Sequence, residues 1–307
     1  MKAIIYDSFG NLESGKYEDT AAPELKPGTV LINVLYAGVI PFDVKVIEKV
    51  IPMPHIKFPF IPGAEFSGVI LQVAKDVDNC QVGDYVCGNP NSYGGAFADQ
   101  IVVKTEELCK IPAGLALESA AACPVSSLAA WHGLFNEGTL NKGDKVLIIG
   151  ATGNVGSFAV QFAAQAELIV YAVGSAQYEY DTLALGANYY LDYKKQDYLE
   201  NLPKFDLILD MVGGENQKKL IPLLKEGAVF ISLVNEPDPE ELNLYNVKGL
   251  MLNSGSNPKQ LEEILELIQI GEIKVKISKV LLMQDAVIGL EEVKDGKENG
   301  KVILKNS

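Results

Sequence analysis

The sequence predicts an α/β protein in two parts: a β-rich, barrel-like domain and a parallel sheet covered by helices on both faces. Two changes of texture along the chain carry that prediction. Roughly the first 115 residues break into short apolar runs punctuated by Gly, Pro and Asp, the pattern of a rolled β domain. From about residue 119 longer units take over, in which wholly apolar runs alternate with helical stretches. Runs without polar alternation mark strands buried on both faces. A chain of 307 residues is also long enough for more than one core.

In order, LINVLYAGV (31–39), FSGVILQVA (66–74) and DYVCG (84–88) are strands, with turn material such as KPG and QVGD between them. An alanine-rich helical stretch (118–137) leads into the apolar strand KVLIIG (145–150). A helix (155–166), strand LIVYAV (168–173), a helix (177–186) and strand LILDMV (207–212) follow. AVFISLV (228–234), GLMLNS (249–254) and the helix PKQLEEILELIQIG (258–271) complete the series. KISKVLLM and KVILKN read again as strands, so the tail is expected to return to the first domain. The expected domains are 1–118 with 272–307, and 119–271.

A net charge of −14 excludes the basic footprint of a nucleic-acid binder and disfavours an anionic membrane surface. All 26 basic residues are lysine. Without arginine, phosphate must be held by backbone, hydroxyls or lysine. The amino terminus MKAIIYDSFG lacks the apolar core of a secretory signal. No apolar run reaches the ~18 residues of a membrane span. Cys80, Cys87, Cys109 and Cys123 form no CxxC pair and read as free thiols, as expected of a cytoplasmic protein.

The strongest local signal is KVLIIGATGNVGSFAVQFAAQ (145–165). A buried strand runs into Gly150, Ala151, Thr152, Gly153, Asn154, Val155 and Gly156, and an apolar helix follows. Small residues are needed there: the turn is tight, the backbone approaches a pyrophosphate, and the helix packs close to the sheet. The helix amino terminus adds unpaired N–H groups and partial positive charge. These residues are expected to bind a dinucleotide. The next strand ends in Gly174 and Ser175, where NAD-selective sites place an acid. With no carboxylate in that strand, NADPH is the expected cofactor and NADH the alternative. Lys194 and Lys195 follow Tyr193 further on.

FPFIPGAEFSGVI (58–70), VGDYVCG (82–88), GGAFADQIVV (94–103) and AAACPVSSLAAW (120–131) join this motif in an ordered series. LGANYYLDY (185–193), DMVGG (210–214) and GKVIL (300–304) extend it to the carboxyl end. End to end, the chain resembles the zinc-independent medium-chain dehydrogenases/reductases of the quinone oxidoreductase or enone reductase kind. The resemblance implies a GroES-like β-barrel catalytic domain plus a Rossmann cofactor domain. It also implies Ser175 and Tyr193 around a 2′-phosphate, Val212 beside the cofactor, and a homodimer formed through the sheet edge at 249–254.

Ile40 stands where zinc-dependent relatives carry a cysteine, and Ala64 where a histidine precedes Glu65. A catalytic zinc needs about three S, N or O ligands, so no metal is expected. Hydride transfer to an already electrophilic carbon of an enone or quinone remains. Lys45, in PFDVK, and Tyr93, before GGAF, are the candidate catalytic residues, one to polarise a carbonyl and one to donate a hydrogen bond. His132, within an apolar helix, reads as a core residue. Three positions depart from the family pattern. Ile40 replaces a frequent asparagine, Ala129 a threonine that Ser126 or Ser127 would replace in function, and Tyr178 a cation used on the 2′-phosphate. The alternatives are a cofactor-binding regulatory or scaffold protein of the same fold and an enoyl-thioester reductase, the latter disfavoured by the acidic surface and missing arginines.

Overall fold

The computed structural model describes residues 1–296 and 299–306. In chain order the first elements are β1 (Lys2–Ile5), β2 (Lys16–Asp19), β3 (Thr29–Val39), α1 (Pro41–Ile47), β4 (Glu65–Val73), β5 (Tyr85–Gly88), β6 (Gln100–Lys104) and β7 (Leu108–Lys110). Helices α2 (Leu117–Ala122) and α3 (Pro124–Trp131) follow. Next come β8 (Lys145–Ile149), α4 (Asn154–Gln165), β9 (Ile169–Gly174), α5 (Glu179–Ala184), β10 (Tyr189–Asp192), β11 (Phe205–Asp210) and α6 (Gln217–Leu220). The chain continues through β12 (Leu224–Ser232), α7 (Pro239–Leu244), β13 (Lys248–Met251), α8 (Pro258–Gln269), β14 (Ile277–Leu282), α9 (Ala286–Lys294) and β15 (Lys301–Lys305).

These elements form two compact units, Met1–Leu128 with Gly255–Ser307, and Ala129–Ser254. The first is built on a mixed sheet ordered β14-β15-β3-β4-β5-β7, with β6 paired to the opposite end of the long β3. The tail does return to it: β15 pairs antiparallel with β3, Val302 opposite Val39. Alternation along β3 and β4 buries Val30, Ile32, Val34, Phe66 and Ile70 in one core. Residues 119–128 and 255–271 cluster with this unit rather than with the second. The reason is packing: α2 lies on β3 and β4, and α8 on β7.

The second unit is a parallel sheet ordered β10-β9-β8-β11-β12-β13. Order reverses between β8 and β11, the switch point at which doubly wound sheets open a crevice for ligands. The central strands are as apolar as the sequence demands: Val146, Leu147, Ile148, Leu207, Ile208 and Leu209 are all buried. Strand β13 forms one edge, and it ends at Met251, before Leu252, Asn253 and Ser254 of the expected strand.

Candidate functional site

In the second unit the expected nucleotide turn forms as a strand–turn–helix. Gly150 leaves β8 with φ +82°, a left-handed conformation that glycine adopts without strain. Gly153 caps α4, and Asn154, Val155 and Gly156 are its first residues, so their N–H groups have no partner within the helix. No acidic residue lies in that first turn and no side chain caps it, leaving the partial positive charge for a ligand. A Cβ on Gly156 would fall 2.2 Å from the Gly150 carbonyl oxygen and 2.6 Å from the Ala151 Cα. Helix and turn therefore touch backbone to backbone. Val212 lies beside the turn, its Cγ2 3.3 Å from where a Cβ on Gly150 would sit. The donor set fits a dinucleotide pyrophosphate.

At the end of β9 the surroundings are more acidic than that strand alone indicates. Asp192 on β10 pairs in register with Gly174. Reading along β9 misses it because the acid comes from the neighbouring strand. Tyr190, which the sequence did not single out, donates from its hydroxyl to the Ser175 carbonyl at 2.7 Å. That hydroxyl lies 2.4 Å from the position of a Cβ on Gly174. Burial, then Asp192 and Glu179, push the Tyr190 phenol up to about 12. Tyr193 is 52% exposed, and Lys194 and Lys195 are exposed beyond it. His132 meets Ser254 Oγ through Nδ1 at 2.8 Å, consistent with a structural histidine.

The first unit holds a chemically denser cluster. Pro41 at the first turn of α1 and Asp43 two residues on are a helix-start pattern, and Asp43 Oδ2 accepts from the Ile40 N–H at 2.9 Å. Its other oxygen, Oδ1, accepts from the Tyr93 hydroxyl at 2.9 Å. Asp43 is fully buried. Burial raises its carboxyl to about 7 against the lowering effect of those two donors; Glu65 adds to the rise and Lys301 opposes it. Tyr93 has φ +46°, an unfavourable backbone for a bulky residue that persists only where surroundings hold it. Phe42 packs edge-on against its ring at 5.0 Å, and burial, then Asp43, raise its phenol well above the ordinary tyrosine value.

Beside this pair, Glu65 and Lys301 form a buried ion pair at 2.5 Å. Lys301 also donates to Ser126 Oγ at 3.1 Å, and Glu65 Oε2 accepts from the Val125 N–H at 2.8 Å. Gly38 is opposite Glu65 in register, and a Cβ there would collide with Oε1 at 2.2 Å. Ser126 is thus engaged by Lys301, and Ser127 Oγ is buried without a partner among the described residues. Ile40 and Ala64 pack with Phe60 and Tyr93 in one apolar cluster. Lys45 is half-buried on α1; at two residues' spacing it faces away from Asp43. The structure therefore joins Tyr93 to Asp43 and leaves Lys45 apart.

Known proteins align with this architecture along its length. The family described as "Alcohol dehydrogenase GroES-like domain" matches residues 26–113, and "Zinc-binding dehydrogenase" matches 185–304. The structure of a quinone oxidoreductase from Coxiella burnetii superposes with a TM-score of 0.92 at 26% identity, covering 99% of each chain. The chain belongs to the medium-chain dehydrogenase/reductase family. Similar family members include the mitochondrial NAD(P)H oxidoreductase RTN4IP1 of Danio rerio, 28% identical over 99% of this chain and 91% of that protein. Another is 2-methylene-furan-3-one reductase of Solanum lycopersicum, 28% identical over 99% of this chain and 79% of that protein. This medium-chain dehydrogenase/reductase is an oxidoreductase, similar to the zinc-independent quinone and enone reductases; Ile40 and Ala64, packed in the apolar cluster with Tyr93, offer no donor atoms. Among the described residues no helix is long and apolar enough to cross a membrane.

Proposed function

We propose that this protein reduces quinones or α,β-unsaturated carbonyls with NADPH. The observation that carries the reading is the carbon-only pairing of Ile40 with Ala64 beside a Glu65 whose two oxygens are both engaged. A side-chain set of that kind does not assemble a Lewis acid for an alcohol, so the acceptor must already be electrophilic. Relatives named as a furanone reductase and a quinone oxidoreductase support the same substrate class.

A bound dihydronicotinamide would supply the hydride. The turn from Gly150 through Ala151, Thr152, Gly153, Asn154 and Val155 to Gly156 holds the pyrophosphate, with Val212 packed beside it. Ser175 and Tyr193 hold the adenosine ribose and its phosphate. Tyr93 donates a proton to the oxygen that becomes negative as hydride arrives. The protein acts as a homodimer with the sheet continued across paired β13 edges, since an unpaired edge invites association. Its four cysteines, all free thiols, fit the cytoplasm.

Turnover of a panel of enones, quinones and simple alcohols by the purified protein tests this. Reduction of the first two classes by NADPH, unaffected by a chelator, is expected. Chelator-sensitive alcohol oxidation as the main activity overturns the reading. Light scattering at micromolar concentration is expected to give the mass of a dimer.

A further inference from the structure

We propose that Asp43 is a positioning residue that switches the Tyr93 hydroxyl between two orientations, one engaged with Asp43 and one free to give its proton to substrate. The inference rests on Tyr93 as the proton donor. Among the described residues Asp43 is held by protein donors: its side chain is fully buried, one oxygen accepts from the Ile40 N–H, and the other accepts from the Tyr93 hydroxyl. A carboxylate in that place can only accept, so the phenolic proton is committed to it. A carboxylic acid in that place donates to the phenol oxygen instead, and the phenolic O–H turns away.

Protonation of Asp43 therefore sets whether Tyr93 can donate. In the step itself, hydride adds to the enone β-carbon and the C=C electron pair moves onto the carbonyl oxygen. That enolate oxygen bonds the Tyr93 proton as the phenolic O–H breaks. The Asp43 proton moves to the phenolate oxygen, leaving a carboxylate that is reprotonated from water. One proton is consumed per hydride.

The groups facing this pair place its switch near neutrality. Burial is the main cause of the rise to about 7; Glu65 on β4 adds to it, and Lys301 on β15, the Ile40 N–H and Tyr93 oppose it. On the remaining sides Tyr6 faces Asp43 and Glu291 on α9. Elsewhere on α9, Lys294 pairs with Glu48, the residue after α1, and Glu292 with Lys279. His55 and Lys57, on the segment that packs its apolar residues over Tyr93, are exposed.

Two measurements on the full chain test the proposal. Carboxyl-carbon NMR of aspartate-labelled protein should show one aspartate titrating near pH 7. That signal should vanish in Asp43→Asn and move upward in Tyr93→Phe, which removes a donor to the carboxylate. Aspartates titrating only in the ordinary range, about pH 4, overturn the proposal. With NADPH and 3-buten-2-one, kcat should fall on the alkaline side through about pH 7 in the native protein. In Asp43→Asn it should stay level, because the amide oxygen replaces Oδ2 towards Ile40 and the amide N–H₂ donates permanently to Tyr93. The same alkaline limb in both proteins overturns the role of Asp43 alone. Undiminished turnover in Tyr93→Phe overturns the donor reading beneath it.

Discussion

The two units make their sites from opposite materials. The second unit uses backbone: a left-handed Gly150, an uncapped helix start and a Gly156 that lets α4 touch the turn. The first uses buried charge: Asp43, Glu65 and Lys301 within a largely apolar core. Backbone donors are fixed once the chain folds, and they bind a phosphate with no charge of their own to desolvate. Buried carboxylates carry a desolvation cost that partners must offset. That cost is also what brings a carboxyl into the neutral range and makes it responsive. The glycine turn is thus built to be constant, and the buried cluster to be adjustable.

The largest effect is expected where the charged site loses a partner. Lys301→Ala leaves Glu65 as an uncompensated buried carboxylate, a loss of about 3–5 kcal/mol. Denaturant unfolding should show this, and Lys301→Met combined with Glu65→Gln should recover much of it, since neutral groups of similar shape remove the unpaired charge. A loss below about 1 kcal/mol, typical of exposed pairs, would place Glu65 within reach of water and erase the contrast between the units.

Asp43 gives the next effect, with a sign that can be worked out. Its folded-state value of about 7 lies above the ordinary 3.8, so the folded state holds this proton more tightly than the unfolded chain. The resulting stability is fully present below pH 3.8 and is lost as pH rises to about 7. The shift corresponds to at most about 4 kcal/mol. Asp43→Asn removes this slope, so thermal unfolding at pH 8 should occur at higher temperature than in the native protein. At pH 4 the two should nearly coincide. Parallel pH profiles would show that Asp43 ionises without penalty.

On the nucleotide side, glycines are expected to separate into packing and permissive ones. Gly156→Ala drives a methyl into the Gly150 carbonyl, costing about 1–3 kcal/mol by overpacking and displacing α4 from the turn. NADPH affinity should fall with it, by about tenfold or more. Gly153→Ala meets nothing closer than 3.4 Å at an ordinary φ of −77°, so stability should change by no more than the roughly 1 kcal/mol of a cap exchange. Any larger loss of NADPH binding in Gly153→Ala then reports contact with the cofactor itself.

This division also explains what the sequence revealed. The turn at 150–156 is contiguous, and its chemistry follows from small residues between an apolar strand and helix. Its geometry could be read in one pass. The buried cluster draws on residues 43, 65, 93, 126 and 301, far apart in the chain, with Lys301 brought in by the pairing of β15 with β3. Tyr93 was visible as a tyrosine before two glycines; its partner Asp43 was not singled out, and Lys45 in the same PFDVK segment drew attention by its charge. Lys301 was noticed only within a terminal motif. Asp192 escaped because strand neighbours, unlike sequence neighbours, are set by sheet order.

The smallest effect concerns the choice between NADPH and NADH, where the two materials meet. Gly174, Ser175 and Tyr193 offer a 2′-phosphate room, a hydroxyl and an exposed phenol, with Lys194 and Lys195 nearby in the chain. Against these stand Asp192, in register with Gly174, and an uncharged Tyr178. A neutral hydrogen bond contributes about 0.5–1.5 kcal/mol and a charged one about 1.5–3. The balance gives NADPH a preference of about tenfold, declining as salt screens the exposed lysines. Asp192→Asn should increase the preference by removing repulsion, and Tyr178→Lys by adding a cation. Both changes should leave NADH affinity nearly constant, because the 2′-hydroxyl carries no charge. Fluorescence titrations of both cofactors decide it. Equal or tighter NADH binding in the native protein would mean that the carboxylate from β10, rather than the hydroxyls at the end of β9, governs the ribose.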